Sequence, residues 1–242
     1  MLISVGELIS KSFAFAKEHW QKYVPYIGAI VAFSLASGLL QVYAARYGQG
    51  IALSLLLLVI SIGSIIVSLI VSTAMIILTK KLLDKQSVPE GLFNDAKKLI
   101  GPVFIASFLV GLIVLGGTIL LIIPGIIFAV WYAFATYEVI IENKRGMEAL
   151  GASKKLVSGR WWSILWRFIG PALPLLGVMI VVGIVVGIIA AVFDSLIIEQ
   201  IIMLVVQSAL YFFILPYSIA SQTMLYMDAK AKPVTTTAPT QK

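Results

Sequence analysis

Glu138 is the one acidic side chain that falls well inside an apolar run of this 242-residue chain, about one helical turn before Glu142. A carboxylate in hydrocarbon is costly, so such a residue either serves a ligand or a proton, or is neutralised by a nearby cation. Arg167, early in a later apolar run, is the natural partner, with Lys80 and Lys81 as others near the same membrane face. The pair reads in two ways, as a functional polar site or as an ion pair at the membrane interface. Pro171, Pro174 and Pro216 also lie within apolar runs, where each frees a backbone carbonyl. Such carbonyls can coordinate a cation or polar headgroup, or accept from a neighbouring Ser or Thr. Gln41, Gln207 and Gln222 are expected to make interhelical hydrogen bonds.

Enzyme chemistry finds little to work with. His19 is the only histidine, which precludes paired ligands such as H-E-x-x-H. There is no cysteine, hence no catalytic thiol, thiolate metal site or disulfide. The segment 6–12 lacks the second glycine of a phosphate loop, and neither a G-x-S-x-G elbow nor an acidic cluster for Mg²⁺ occurs. A single mid-helix acid also argues against a proton-driven pump, which needs a relay. The expectation is a protein that is not an enzyme and holds no cofactor or metal.

The elements that must position these groups are membrane helices. Hydrophobic residues make up 60% of the chain and charged ones 12%, about half the share of a soluble domain, and mean hydropathy is +1.04. About 20 apolar residues span a bilayer core, and six such spans are predicted at 23–45, 51–79, 101–123, 126–141, 162–193 and 197–227. Every Lys and Arg except Arg46 falls in the N-terminal segment, the second and fourth connections, or the tail. By the positive-inside rule both termini are cytoplasmic. The first span is expected to act as an uncleaved signal, since the start lacks a basic n-region and apolar h-region. The membrane is expected to be a bacterial or archaeal cytoplasmic one. The net charge of +7 reads as a membrane-surface feature, with no nucleic acid as partner.

The predicted fold class is all-α and polytopic: six transmembrane helices as three hairpins, each preceded by a cytoplasmic amphipathic interfacial helix. One membrane domain covers 1–231, with possible repeats at 3–83, 88–142 and 146–228, and 232–242 is expected to be a disordered cytoplasmic tail. Glu7 with Ser12 and Glu148 with Ser153 share one spacing, each Glu followed 13 residues later by Trp20 or Trp161. The middle copy starts at Glu90 and puts Asp95 and Val103 at those places, and Asp84, Glu142 and Asp228 close the even spans. In the first segment Val5, Leu8, Ile9, Phe13, Ala16 and Trp20 mark one face, with Lys11 and Ser12 off it. In the fourth connection Ala149, Leu150, Ser153, Leu156 and Val157 do so, with Lys154 and Lys155 off it. Such helices either lie among headgroups, with Lys97, Lys98, Lys154 and Lys155 reaching anionic lipid, or pack back on the bundle rim. Pro25 and Pro102 are expected to open helices, and Pro124 with Gly125 to make the tight turn between the third and fourth spans. Small residues four apart, Ser64, Ser68 and Ser72 and again Gly183 and Gly187, suit close helix packing within the chain, or for the glycines a homodimer face.

Pro124 and Gly125, then Glu142, Ala149, Leu150, Ser153, Leu156, Gly159 and Trp161, form a Pro-Gly turn, a helix ending in Glu, an A-L-x-x-S-x-x-L run and a glycine-tryptophan step. This stretch of about 40 residues resembles the glycerophosphoryl diester phosphodiesterase membrane-domain family, whose six-helix layout it shares with related bacterial membrane proteins. In some relatives the domain precedes a soluble phosphodiesterase. Here the chain ends in a short Thr/Pro tail, so the resemblance implies an integral membrane module without that activity, and its motif positions look structural. The expected function is a non-enzymatic membrane module that organises lipids or partner proteins at the cytoplasmic face. The alternative is a transporter or lipid-handling permease with a site near the kinked fifth span, Glu138 and Arg167.

Overall fold

Apolar runs with few turn residues become helices here, and nothing else: no strand occurs among the described residues. The computed structural model describes residues 1–48, 50–89, 91–193 and 196–232. Glu90, Asp194 and the tail from 233 onward lie outside them. Nine helices follow in order among the described residues: α1 Val5–Tyr47, α2 Ile51–Leu83, α3 Leu92–Lys98, α4 Ile100–Leu120, α5 Ile122–Trp131, α6 Ala135–Ile140, α7 Gly146–Val157, α8 Trp161–Phe193 and α9 Leu196–Ala231. Among the described residues six stretches are long and apolar enough to cross a membrane: Val5–Ala44, Ile51–Leu83, Ile100–Leu120, Ile122–Ile140, Trp161–Ile189 and Ile198–Ala231.

The first helix departs from expectation. No boundary separates an interfacial helix from the first span. Ser4 caps the start, accepting from the Glu7 N–H at 3.2 Å, and α1 then runs 43 residues without a break. Pro25 does not open a helix; it sits exposed in the middle of this one. At 1.5 Å per residue α1 is about 65 Å long, roughly twice the bilayer core. Its buried face also differs. Leu8, Ser12 and Ala16 point inward, while Phe13 and Trp20, which share the apolar face with Leu8 and Ala16 in the sequence pattern, are exposed. A four-residue period through a serine wins because Ser12 is small enough to let α1 meet Met224 of α9, its hydroxyl 3.6 Å from the thioether sulfur.

The third and fourth spans are joined at Leu121, whose extended backbone (φ −162°, ψ 146°) breaks the helix, and Pro124 and Gly125 lie in the first turns of α5 rather than in the turn. Both glycines at this corner are fixed by packing. A Cβ on Gly125 would overlap the Thr118 side chain, and one on Gly117 would lie 2.7 Å from the Phe128 ring. The predicted fourth span is not one helix. It breaks at 132–134 and resumes as α6.

Packing is densest where the chain's two ends meet, α1 against α9, and α1 also packs on α2, α4 on α5, and α8 on α9. One core joins Leu8, Phe134, Tyr137, Ile164, Leu225 and Tyr226; a second joins Tyr23, Ile27, Met75 and Leu78 with Leu92 and Ala96 of α3. A third places Ala149 and Leu150 of α7 on Val103, Ala106 and Val139. The cores cluster at the end of the bundle that carries the basic connections. Toward the other end the spans present bare apolar surface, as in Leu55, Ile119, Val181 and Ile188. Gly183 and Gly187 belong to that surface: a Cβ on either would meet nothing within 4 Å, so they do not serve intrachain packing.

Candidate functional site

Glu138 is 1% exposed, placed on the first turn of α6 by the break before it. Its partners are not Arg167. Lys144 Nζ lies 2.7 Å from Oε2, and Lys230 Nζ lies 3.2 Å from Oε1. Lys230 also reaches Glu142 at 3.6 Å, and the Tyr226 hydroxyl donates to Glu142 Oε1 at 3.5 Å. The loop that delivers Lys144 turns back through Asn143 at φ +57°, and the Lys144 N–H donates to the Glu138 carbonyl at 3.1 Å. The result ties α6, the following loop and α9 together around one buried carboxylate with both oxygens occupied. Lys80 forms its own pair with Asp84 at 2.8 Å.

Arg167 holds the chain's beginning instead. Its guanidinium donates to the carbonyls of Leu2 and Ile3 and to Ser163, while the Ile3 N–H donates to Asp228 Oδ2 at 2.7 Å. Arg160 does the same for helix ends: Nε donates to the Leu156 carbonyl of α7 at 2.8 Å, and its terminal nitrogens donate to Ala229 at 2.7 Å and Lys232 at 2.6 Å beyond α9. Burial pushes the Arg160 guanidinium below its ordinary value, and the nearby Asp228 charge opposes that shift. Orphan carbonyls at two helix C-termini thus share one planar fork.

Ser153 splices the broken span. Fully buried, it donates to the Trp131 carbonyl at 2.8 Å and accepts from the Phe134 N–H at 3.1 Å, so one hydroxyl satisfies both sides of the gap. Its neighbour Ala149 is buried with it, Gly159 turns the chain at φ +81°, and Trp161 donates to the Ile127 carbonyl at 3.3 Å. Lys154 lies 4.3 Å from the Trp131 ring centroid, and Lys98 pairs with Asp95 at 3.1 Å. Lys97 and Lys155 are exposed.

Beside Pro171 and Pro174 of α8, where a permease site was expected, Arg167, Pro171 and Tyr217 border a space of only about 60 Å³, and the Tyr217 hydroxyl donates to the Pro171 carbonyl at 3.1 Å. That is far below the 300–1,000 Å³ of ligand pockets. The sequence reading missed a larger cleft of about 620 Å³ between α1, α2 and α9. Its polar residues were legible one by one, as small-residue stripes and isolated glutamines, but not as one wall. Among the described residues no cluster of His, Cys, Asp and Glu could hold a metal ion. Compared with protein-family models, with curated proteins and with solved structures, the chain finds no match in any of the three.

Proposed function

We propose that this chain is a non-enzymatic integral membrane module whose basic end gathers anionic lipid at the cytoplasmic face. In this reading the spans form three antiparallel pairs, α3 and α7 lie at the headgroup level, and both termini are cytoplasmic. One observation carries it. Exposed Phe13, Trp20, Trp162 and Trp166 stand at the same end as the basic side chains other than Arg46 among the described residues, and Glu138, the one deeply buried acid among those residues, is already neutralised by the chain's own lysines. Aromatic rings anchor at the headgroup level, and each lysine or arginine near an anionic surface adds about 1 kcal/mol of attraction. The family resemblance points the same way, to a membrane module without the phosphodiesterase.

The five tryptophans make the test direct. With brominated phosphatidylglycerol mixed into phosphatidylcholine nanodiscs, quenching is expected to exceed that from the same fraction of brominated phosphatidylcholine. Reversing Lys97, Lys98, Lys154 and Lys155 to Glu should remove the excess. Equal quenching by both lipids in the native chain overturns the proposal; an excess that survives charge reversal moves the site elsewhere on that end. The permease alternative keeps one observation in its favour, the cleft between α1, α2 and α9.

A further inference from the structure

The cleft lies toward the opposite end from the basic connections and stands independently of them. It runs along Ile30 to Val42 of α1 and Glu199 to Tyr211 of α9, closed behind by Ser64 and Ser68 of α2. Counting from the start of α9, Glu199 lies about 5 Å in and Gln207 about 16 Å in, so the cleft descends from headgroup depth into hydrocarbon. Polar groups open to bare lipid at such depths are costly. Gln41 satisfies one N–H on Ser37 at 3.1 Å, and Gln207 one on Tyr211 at 3.1 Å. The remaining amide and hydroxyl groups of Gln41, Gln207, Ser34 and Ser68 face the space with donors and acceptors unfilled by any hydrogen bond described among these residues.

The charge of the lining decides what fits. Among the described residues Glu199 is its only acidic side chain, and no lysine or arginine lines it. An anionic headgroup would meet a carboxylate with no compensating cation. An ammonium would meet Glu199 in a charge-assisted hydrogen bond, while amide and hydroxyl donors below accommodate phosphate and ester oxygens. The apolar remainder, Phe33, Val67, Met203 and Leu204, suits acyl chain. We propose that the α1–α2–α9 cleft binds one aminophospholipid, its ammonium on Glu199 and its polar backbone against Gln41, Gln207, Ser34 and Ser68.

The test is native mass spectrometry of the full chain released from nanodiscs of equimolar phosphatidylethanolamine and phosphatidylglycerol. One phosphatidylethanolamine should stay bound where phosphatidylglycerol does not. E199Q, which keeps size and loses charge, should lower its retention about tenfold, the scale of one charge-assisted bond. S68F, which fills the cleft, should abolish retention with the thermal midpoint held. Equal retention of both lipids, no retained lipid, or retention indifferent to E199Q overturns the proposal. So does displacement by free ethanolamine at lipid-equivalent concentration, which would assign the cleft to a soluble amine. Failure of the tryptophan quenching test leaves these outcomes untouched.

Discussion

At Glu138 the asymmetry of burial sets what each substitution does. The carboxylate is 1% exposed, whereas Lys144 and Lys230 are 27% and 38% exposed and can swing to water. Removing the acid therefore frees two soluble cations; removing both lysines strands a buried charge. The K144M/K230M double variant is expected to lose about 3–5 kcal/mol, and E138Q distinctly less, read as thermal midpoints in one detergent. The reverse order would mean that Glu138 has a task beyond holding the bundle together. Ser153 gives a second, sharper case. S153A leaves the Phe134 N–H and the Trp131 carbonyl buried without a partner, at a cost of about 1–3 kcal/mol. Amide exchange should accelerate at Phe134 while Leu8 and Met75 keep their protection; unchanged exchange at Phe134 would show that water or backbone closes the gap instead.

At the scale of elements, Arg160 couples the ends of α7 and α9. A lysine offers one point charge where the guanidinium reaches three carbonyls, so R160K should fray residues 228–232 nearly as much as R160A, measured by hydrogen exchange. Full protection in R160K would mean that charge alone suffices. Which elements were legible beforehand follows from what sets them. The six apolar stretches are a local property of composition, and the described residues hold six stretches of that kind overlapping the expected ones. The break at 132–134 was not legible, because it exists through a serine about 20 residues away in sequence. Nor was the continuity of α1 through Pro25, since a proline's cost is local but the packing of Tyr23 and Ile27 on α2 that holds the helix is tertiary. The Arg167 pairing failed for a related reason: the competing acceptors are backbone carbonyls of Leu2 and Ile3, invisible to any count of charges.

For the whole molecule, the basic and bare ends make orientation a direct experiment. The chain has no cysteine, so R46C and K97C each introduce the sole reactive thiol. In intact cells an impermeant maleimide should label R46C, and label K97C only after the membrane is opened; the opposite pattern would invert the expected topology and move the end proposed to gather lipid outside. The contact between α1 and α9 has a temporal side as well. Tyr47 and Leu196 stand roughly 150 residues apart, yet the first helix finds its most extensive neighbour only in the last. At about 5–20 residues per second the ribosome takes about 7–30 s to make that intervening chain. Throughout that wait Leu8 lacks Leu225 and Tyr226 and Ser12 lacks Met224, so this part of α1 must be sheltered by the insertion machinery or by lipid until its final partner emerges. Nascent chains stalled before α9 are therefore the ones a membrane protease should clear first.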